Sequence, residues 1–254
     1  MRLGAVLAVL VMTSAIHAEF KVTGTTVKFK SGSEDVVGFL AQPEGEGPFP
    51  AIVVIQEWWG LNDWIKIQAR RLAAQGYVAL APDLYRGKVT EDMKVASQLL
   101  KGLPPERALR DLKAATDYLA NHKAVNKDKL AVIGWCMGGG YALELSVAEP
   151  RLRACIICYG RVTADEAKLK PLQATVLGVF GKEDKGIPIK NVRAFGEALK
   201  KLDKKVEALG EYEAGHGFMR ESNGSKPNPE YREAEAKKAW AAIESFLKKE
   251  LANK

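Results

Sequence analysis

The chain has 254 residues, a net charge of +7, 47% hydrophobic residues and only three cysteines and three histidines. That length suits one large domain with a sizeable core, and so few cysteines exclude a disulfide-stapled scaffold. The surplus charge sits in Lys200, Lys201, Lys204, Lys205 and in Lys237, Lys238, Lys248, Lys249, among acids and without interleaved aromatics, which argues against a nucleic-acid partner.

Residues 1–18 read as a signal peptide rather than as part of the fold. Arg2 supplies a charged start, Leu3 to Met12 an apolar run, and Ile16-His17-Ala18 a small residue for cleavage before Glu19. We therefore expect an exported protein, periplasmic or secreted, with one domain over 19–254 and no stable membrane insertion after cleavage.

From there the pattern alternates. Thr23 to Phe29 and Asp35 to Ala41 read as strands of a hairpin closed by Ser31-Gly32-Ser33. Ala51 to Ile55 is a continuous apolar run, as expected of a strand covered on both faces. Asn62 or Asp63 can cap a helix to about Gln75, stopped by Gly76, and Tyr77 to Ala81 follows as a buried strand. Helices are expected near Glu91–Lys101 and Glu106–Asn121, then a strand at Leu130–Ile133 and a helix from Tyr141 ended by Pro150. Ala154 to Tyr159 and Ala174 to Phe180 read as strands, Ile189 to Leu202 as a helix, Lys205 to Tyr212 as a strand, and Pro229 to Leu251 as a closing helix. Strands joined by helical crossovers imply an α/β fold with a mostly parallel, doubly wound sheet and no large lid domain.

Between the Leu130 strand and its helix lies Gly134-Trp135-Cys136-Met137-Gly138-Gly139-Gly140. Strand, tight glycine turn, one reactive side chain, helix: this is the layout of a nucleophile elbow. The glycines allow the turn and the close packing of helix on strand, and the helix N-terminus favours a thiolate and a developing oxyanion. Cys155 and Cys158 form a CxxC, but within a strand they face opposite sides with Cα atoms on the order of 10 Å apart, so core packing is expected rather than a disulfide.

A cysteine nucleophile needs a base, and the base an orienting group. Beyond the signal segment only His122 and His216 remain. His122 follows a helix at the wrong end of the crossover, whereas His216 stands between Gly215 and Gly217 after the Lys205–Tyr212 strand. Glu183 and Asp184, after the Ala174–Phe180 strand, are both candidates to orient it. The order nucleophile, acid, histidine is that of α/β-hydrolases.

Together with Gln56-Glu57-Trp58-Trp59-Gly60-Leu61-Asn62, Ala81-Pro82-Asp83-Leu84-Tyr85 and Gly215-His216-Gly217-Phe218-Met219-Arg220, these motifs resemble the dienelactone hydrolase family, a Cys-Asp-His branch of the α/β-hydrolase fold. The resemblance implies Cys136 as nucleophile, His216 as base and Asp184 as orienting acid. It also implies Glu57 as the carboxylate that contacts the resting cysteine, the backbone amides of Trp58 and Met137 as oxyanion hole, and Arg220 as a grip on a substrate carboxylate. Dienelactone hydrolases also carry an Arg and a Tyr on the helix after the Asp-Leu-Tyr strand end, and Lys88 to Lys101 contains neither. Trp58, Trp59 and Trp64 are expected to form an apolar wall near the mouth.

The expected function is hydrolysis of a small ester or lactone, acting as a monomer through a cysteine thioester, with no cofactor and no metal. Competing readings are a promiscuous short-chain carboxylesterase without dienelactone activity, and an extracytoplasmic thiol redox or binding protein on the same fold.

Overall fold

Because the central strands of this chain are largely continuous apolar runs, their part of the sheet must be covered on both faces. The computed structural model describes residues 19–252, so the signal-peptide expectation falls outside the described residues. β1 (Val22–Ser31) and β2 (Glu34–Pro43) form the N-terminal antiparallel hairpin, and β2 pairs antiparallel with β4 (Val78–Pro82). β3 (Phe49–Ile55) runs parallel to β4 on one side and to β5 (Val125–Trp135) on the other. β6 (Leu152–Cys158), β7 (Thr175–Gly181) and β8 (Val206–Tyr212) continue in parallel, giving the order β1-β2-β4-β3-β5-β6-β7-β8. Strand order reverses about β3, and such a switch opens a crevice beyond the carboxyl ends of β3 and β5.

Strand alternation sorts the core into two layers. Ala51, Val53 and Ile55 of β3 pack with α3 (Pro105–Ala120), α4 (Met137–Ala148) and α6 (Ile189–Lys201). Ile52 and Val54 pack on the other face with α1 (Asp63–Ala74) and α7 (Glu233–Glu250). Cys155 and Cys158 obey the same rule: both are buried and free, one in each layer. Asn62 caps α1 by accepting from Ile65 N at 3.1 Å, as its sequence position foretold.

Several expectations need correction. α4 begins at Met137 rather than Tyr141, because the glycines are its first turn and not a loop before it. A Cβ on Gly138 would strike the Ile55 and Gln56 carbonyls, and one on Gly139 would come within 2.8 Å of Cys158 O. α7 starts at Glu233, since Tyr231 N turns back to Asn228 O at 3.1 Å and closes Pro229 and Glu230 into a turn, and Arg232 before the helix is extended. α2 (Met93–Lys101) starts after Asp92, whose carboxylate accepts from Lys94 N and Val95 N. Trp64 is core rather than mouth: its ring packs 5.4 Å from Trp135, which in turn meets Trp240 at 6.0 Å.

Candidate active site

The elbow is built by a backbone that an ordinary side chain resists. Cys136 has φ 54° and ψ −116°, a region costing on the order of 1–3 kcal/mol for a residue with a Cβ. It is held there because Cys136 N still extends the sheet, donating to Cys158 O at 3.0 Å, while its carbonyl accepts from Gly139 N at 3.1 Å. The thiol is thereby placed at the N-terminus of α4, where the first amides lack intrahelical acceptors. Among the described residues the amides of Met137 and Trp58 have no hydrogen-bond acceptor. Trp58 leaves the end of β3, the neighbour of β5 in the sheet.

Two further strand ends supply the base and its partner. After β8, His216 presents its ring from a turn in which Gly217 has φ 76°, a conformation glycine adopts without strain. His216 Nδ1 lies 2.7 Å from Asp184 Oδ2, beyond β7. Asp184 Oδ1 accepts from Gly186 N at 2.8 Å and Ile187 N at 2.9 Å. Glu183 is exposed, so the geometry chooses between the two acids. Burial alone would lower the His216 pKa, but Asp184 and the neighbouring Cys136 sulfur overcome it and raise it to about 10. Burial pushes Asp184 upward, yet the His216 contact and the two backbone N–H groups hold its carboxyl below the ordinary aspartate range. The arrangement places the Asp184 carboxylate behind the imidazole and the imidazole beside the Cys136 sulfur.

Glu57 and Arg220 meet as a buried ion pair, Arg220 Nε to Glu57 Oε2 at 2.8 Å. Arg220 also donates from Nη1 to Ser222 O at 3.0 Å and lies 5.5 Å over the Trp59 ring. Burial raises the Glu57 pKa despite the opposing pull of Arg220 and His216. Among the described residues no Glu57–Cys136 hydrogen bond is found, and the Glu57 carboxylate faces Arg220. Arg220 is likewise engaged by Glu57 and Ser222 rather than held open.

Cys136, His216, Asp184, Glu57, Arg220, Trp58 and Met137 thus come from β3, β5, β7 and β8 to one end of the sheet. His122 does not join them. It precedes β5, packs 6.0 Å from Tyr118, and accepts at Nδ1 from Ala124 N at 3.3 Å.

Tyr159 is the residue that the sequence reasoning missed. It follows β6 with φ 38°, is fully buried, and sets its ring edge-on to His216 at 5.3 Å. Burial raises its phenol pKa, and Glu57, Cys158 and Cys136 raise it further, which places the hydroxyl among those groups. The signal was available: Tyr159 ends a buried parallel strand, where such sheets collect their chemistry.

The parallel sheet, the strained cysteine at a strand-to-helix turn, and an acid and a histidine on later strand ends define the α/β-hydrolase class. Within it, the profile of the dienelactone hydrolase family matches residues 36–251, and the chain belongs to that family; it is an ester or lactone hydrolase by that membership. A protein of Methylorubrum extorquens assigned as a carboxymethylenebutenolidase is 31% identical over 84% of this chain and 76% of its own. One of a Bradyrhizobium species assigned as a 2-oxo-3-(5-oxofuran-2-ylidene)propanoate lactonase is 30% identical over 90% of this chain and 95% of its own. Among solved structures, a dienelactone hydrolase-like promiscuous phosphotriesterase from metagenomic libraries superposes with a TM-score of 0.82 at 27% identity, covering 91% of this chain and 99% of that one.

Proposed function

We propose that the protein hydrolyses a small ester or lactone through a thioester on Cys136. The observation that carries this reading is the strained Cys136 beside a His216 that is itself held 2.7 Å from Asp184. His216 takes the thiol proton and stays protonated, as its raised pKa favours. The sulfur attacks the carbonyl carbon, and the oxyanion settles on the Trp58 and Met137 amides, which lack other acceptors. Collapse breaks the carbon–oxygen bond as His216 gives its proton to the departing oxygen, leaving the acyl group on sulfur. Neutral His216 then takes a proton from water, the hydroxide adds to the thioester, and the thiolate leaves to re-form the pair with the imidazolium. Asp184 orients His216 throughout, and no cofactor enters the cycle.

Lactone substrates are supported by the relatives assigned as a carboxymethylenebutenolidase and as a lactonase. A general short-chain esterase is the second reading, favoured by one specific departure: α2 carries neither the Arg nor the Tyr of dienelactone hydrolases and instead leaves Met93 and Val95 exposed. Export through residues 1–18 belongs to the same proposal, and Glu19 as the first residue of the protein recovered outside the cytoplasm is its check. Purified enzyme is assayed on a chromogenic short-chain ester and on a dienelactone. Both should be turned over by wild type, and neither by Cys136→Ala. Equal slow rates for the two proteins defeat the enzyme reading, and ester turnover alone selects the esterase.

A further inference from the structure

Trp64 lies in the core, but its indole N–H is used outside it. Nε1 donates to Glu221 Oε2 at 2.8 Å, on a residue that is otherwise exposed. A packed aromatic ring is a donor that cannot wander, so it fixes the carboxylate that it meets. Glu221 is the single residue between Arg220 and Ser222, and Arg220 Nη1 donates to Ser222 O at 3.0 Å. Trp64 thus grips the chain inside the small loop that this contact closes.

The same segment is tied from another side. β9 (Ser222–Asn223) and β10 (Lys226–Pro227) form a short hairpin whose turn lies against Glu91. Glu91 accepts from Ser225 Oγ at 3.2 Å and from Ser225 N at 3.3 Å. A Cβ on Gly224, at φ 59°, would collide with that carboxylate. One residue back, Thr90 N donates to Trp59 O at 3.0 Å, in the turn that carries the Trp58 amide. Three loops are therefore joined in a ring: the Trp58–Gly60 turn with the start of α1, residues 88–91, and residues 221–225. Between them lies a cavity of about 680 Å³ lined by Leu61, Trp64, Val89, Glu91, Ser222 and other residues. Packing does not fill that space, so hydrogen bonds must hold the loops in place. The Glu91 contacts are exposed, whereas the Trp64 bond is part-buried and anchored in the core.

We propose that Trp64 is a positioning residue for the hydrolytic reaction, acting through Glu221 and Ser222 to hold Arg220 against Glu57. This deepens the hydrolase reading and rests on it. Arg220 is held at two points, Nε on Glu57 and Nη1 on Ser222 O. Glu57 is faced by Arg220, His216, Tyr159 and Cys158, and of these only Arg220 carries a permanent charge. When the 221–222 backbone drifts, the guanidinium drifts with it, and a desolvated carboxylate that loses its counter-charge takes up a proton. A neutral Glu57 no longer supports the imidazolium that His216 becomes in the cycle.

Three variants test the link. Trp64→Phe keeps a ring in the stack and deletes the N–H. Glu221→Ala deletes the acceptor without touching the core, and Glu221→Gln keeps an acceptor oxygen. On a chromogenic short-chain ester, Trp64→Phe and Glu221→Ala should each lower kcat about tenfold with KM held within about twofold. The double variant should be no slower than either single one, and Glu221→Gln should stay within about twofold of wild type. In a Glu57→Gln background, Glu221→Ala should change kcat by less than about twofold, because the carboxylate it protects is already neutral. Full kcat in Glu221→Ala, or an equal loss in both backgrounds, overturns the positioning role. Wild-type ester turnover that survives Cys136→Ala would instead overturn the underlying hydrolase reading, so the two failures are distinct.

Discussion

Asp184 and Glu57 are both carboxylates beyond strand ends of one sheet, and their residues are 4% and 2% exposed. Burial by itself would raise both pKa values. Only Glu57 is raised. Asp184 receives two backbone N–H groups on one oxygen and His216 on the other, and it is lowered. Glu57 has buried Arg220, with His216 and Tyr159 nearby, and together they do not offset its desolvation. Heavier desolvation and the lack of backbone donors together therefore separate Glu57 from Asp184, the orienter held by two amides and His216. The mechanism needs such an orienter behind His216, where an imidazolium must be stabilised twice per cycle.

The largest effects should fall on the groups joined to Asp184. Cys136→Ala is expected to lower ester turnover by about ten-thousandfold or more, and His216→Ala by a comparable factor, in steady-state assays. Asp184→Asn should follow at about a thousandfold to ten-thousandfold, because the imidazole loses its tautomer and its counter-charge. Glu57→Gln should cost far less, about tenfold to a hundredfold. If the two amide variants lose equally, the contrast between the carboxylates is broken.

Stability probes the other side of the comparison. Arg220→Met strands a buried carboxylate, and denaturant unfolding should show a loss of about 3–5 kcal/mol. The double variant Arg220→Met with Glu57→Gln should regain part of that loss; strict additivity would mean the pair is not coupled.

The pH profile sharpens the Asp184 half. His216 is raised above its ordinary 6.5, so the stabilisation from its protonated form is complete below about pH 6.5 and is lost as pH rises through about 10. Asp184 is depressed, so its contribution is present above the ordinary 3.8 and is lost as pH falls through its lower folded value. The alkaline limb of kcat/KM should accordingly lie near pH 10 and move to lower pH in Asp184→Asn. An unmoved limb would assign it to another group. Smallest of all, His122→Ala should change turnover by less than about twofold, since His122 lies before β5 rather than beyond it.

The same contrast explains what was legible in the sequence. Core strands such as Ile52 to Ile55 announce themselves because burial on both faces demands unbroken apolar residues. The elbow was legible because only glycine tolerates the approach of α4 to the Ile55 and Cys158 carbonyls. Residue order alone left Glu183 an equal candidate beside Asp184; the family resemblance pointed to Asp184, and the backbone donors of Gly186 and Ile187 are found on that carboxylate. The Glu57–Arg220 pairing was hidden for a different reason. It joins side chains far apart in the chain, and no local pattern encodes which cation a buried acid finds. Tyr159 was passed over because its strand was read for its cysteines. The start of α7 was misplaced because the Asn228 amide donates to the Gly217 and Arg220 carbonyls at 2.9 and 2.8 Å, a tertiary contact that anchors a turn at Pro229 and Glu230 before the helix.

The most direct test of the account is to catch the acyl group. Wild type and Asp184→Asn, mixed with excess chromogenic ester and quenched in acid within the first turnover, are digested and weighed. The acyl mass is expected on the peptide carrying Cys136, at near one equivalent and most persistent in Asp184→Asn. Undiminished turnover with no acyl group on Cys136 would contradict it.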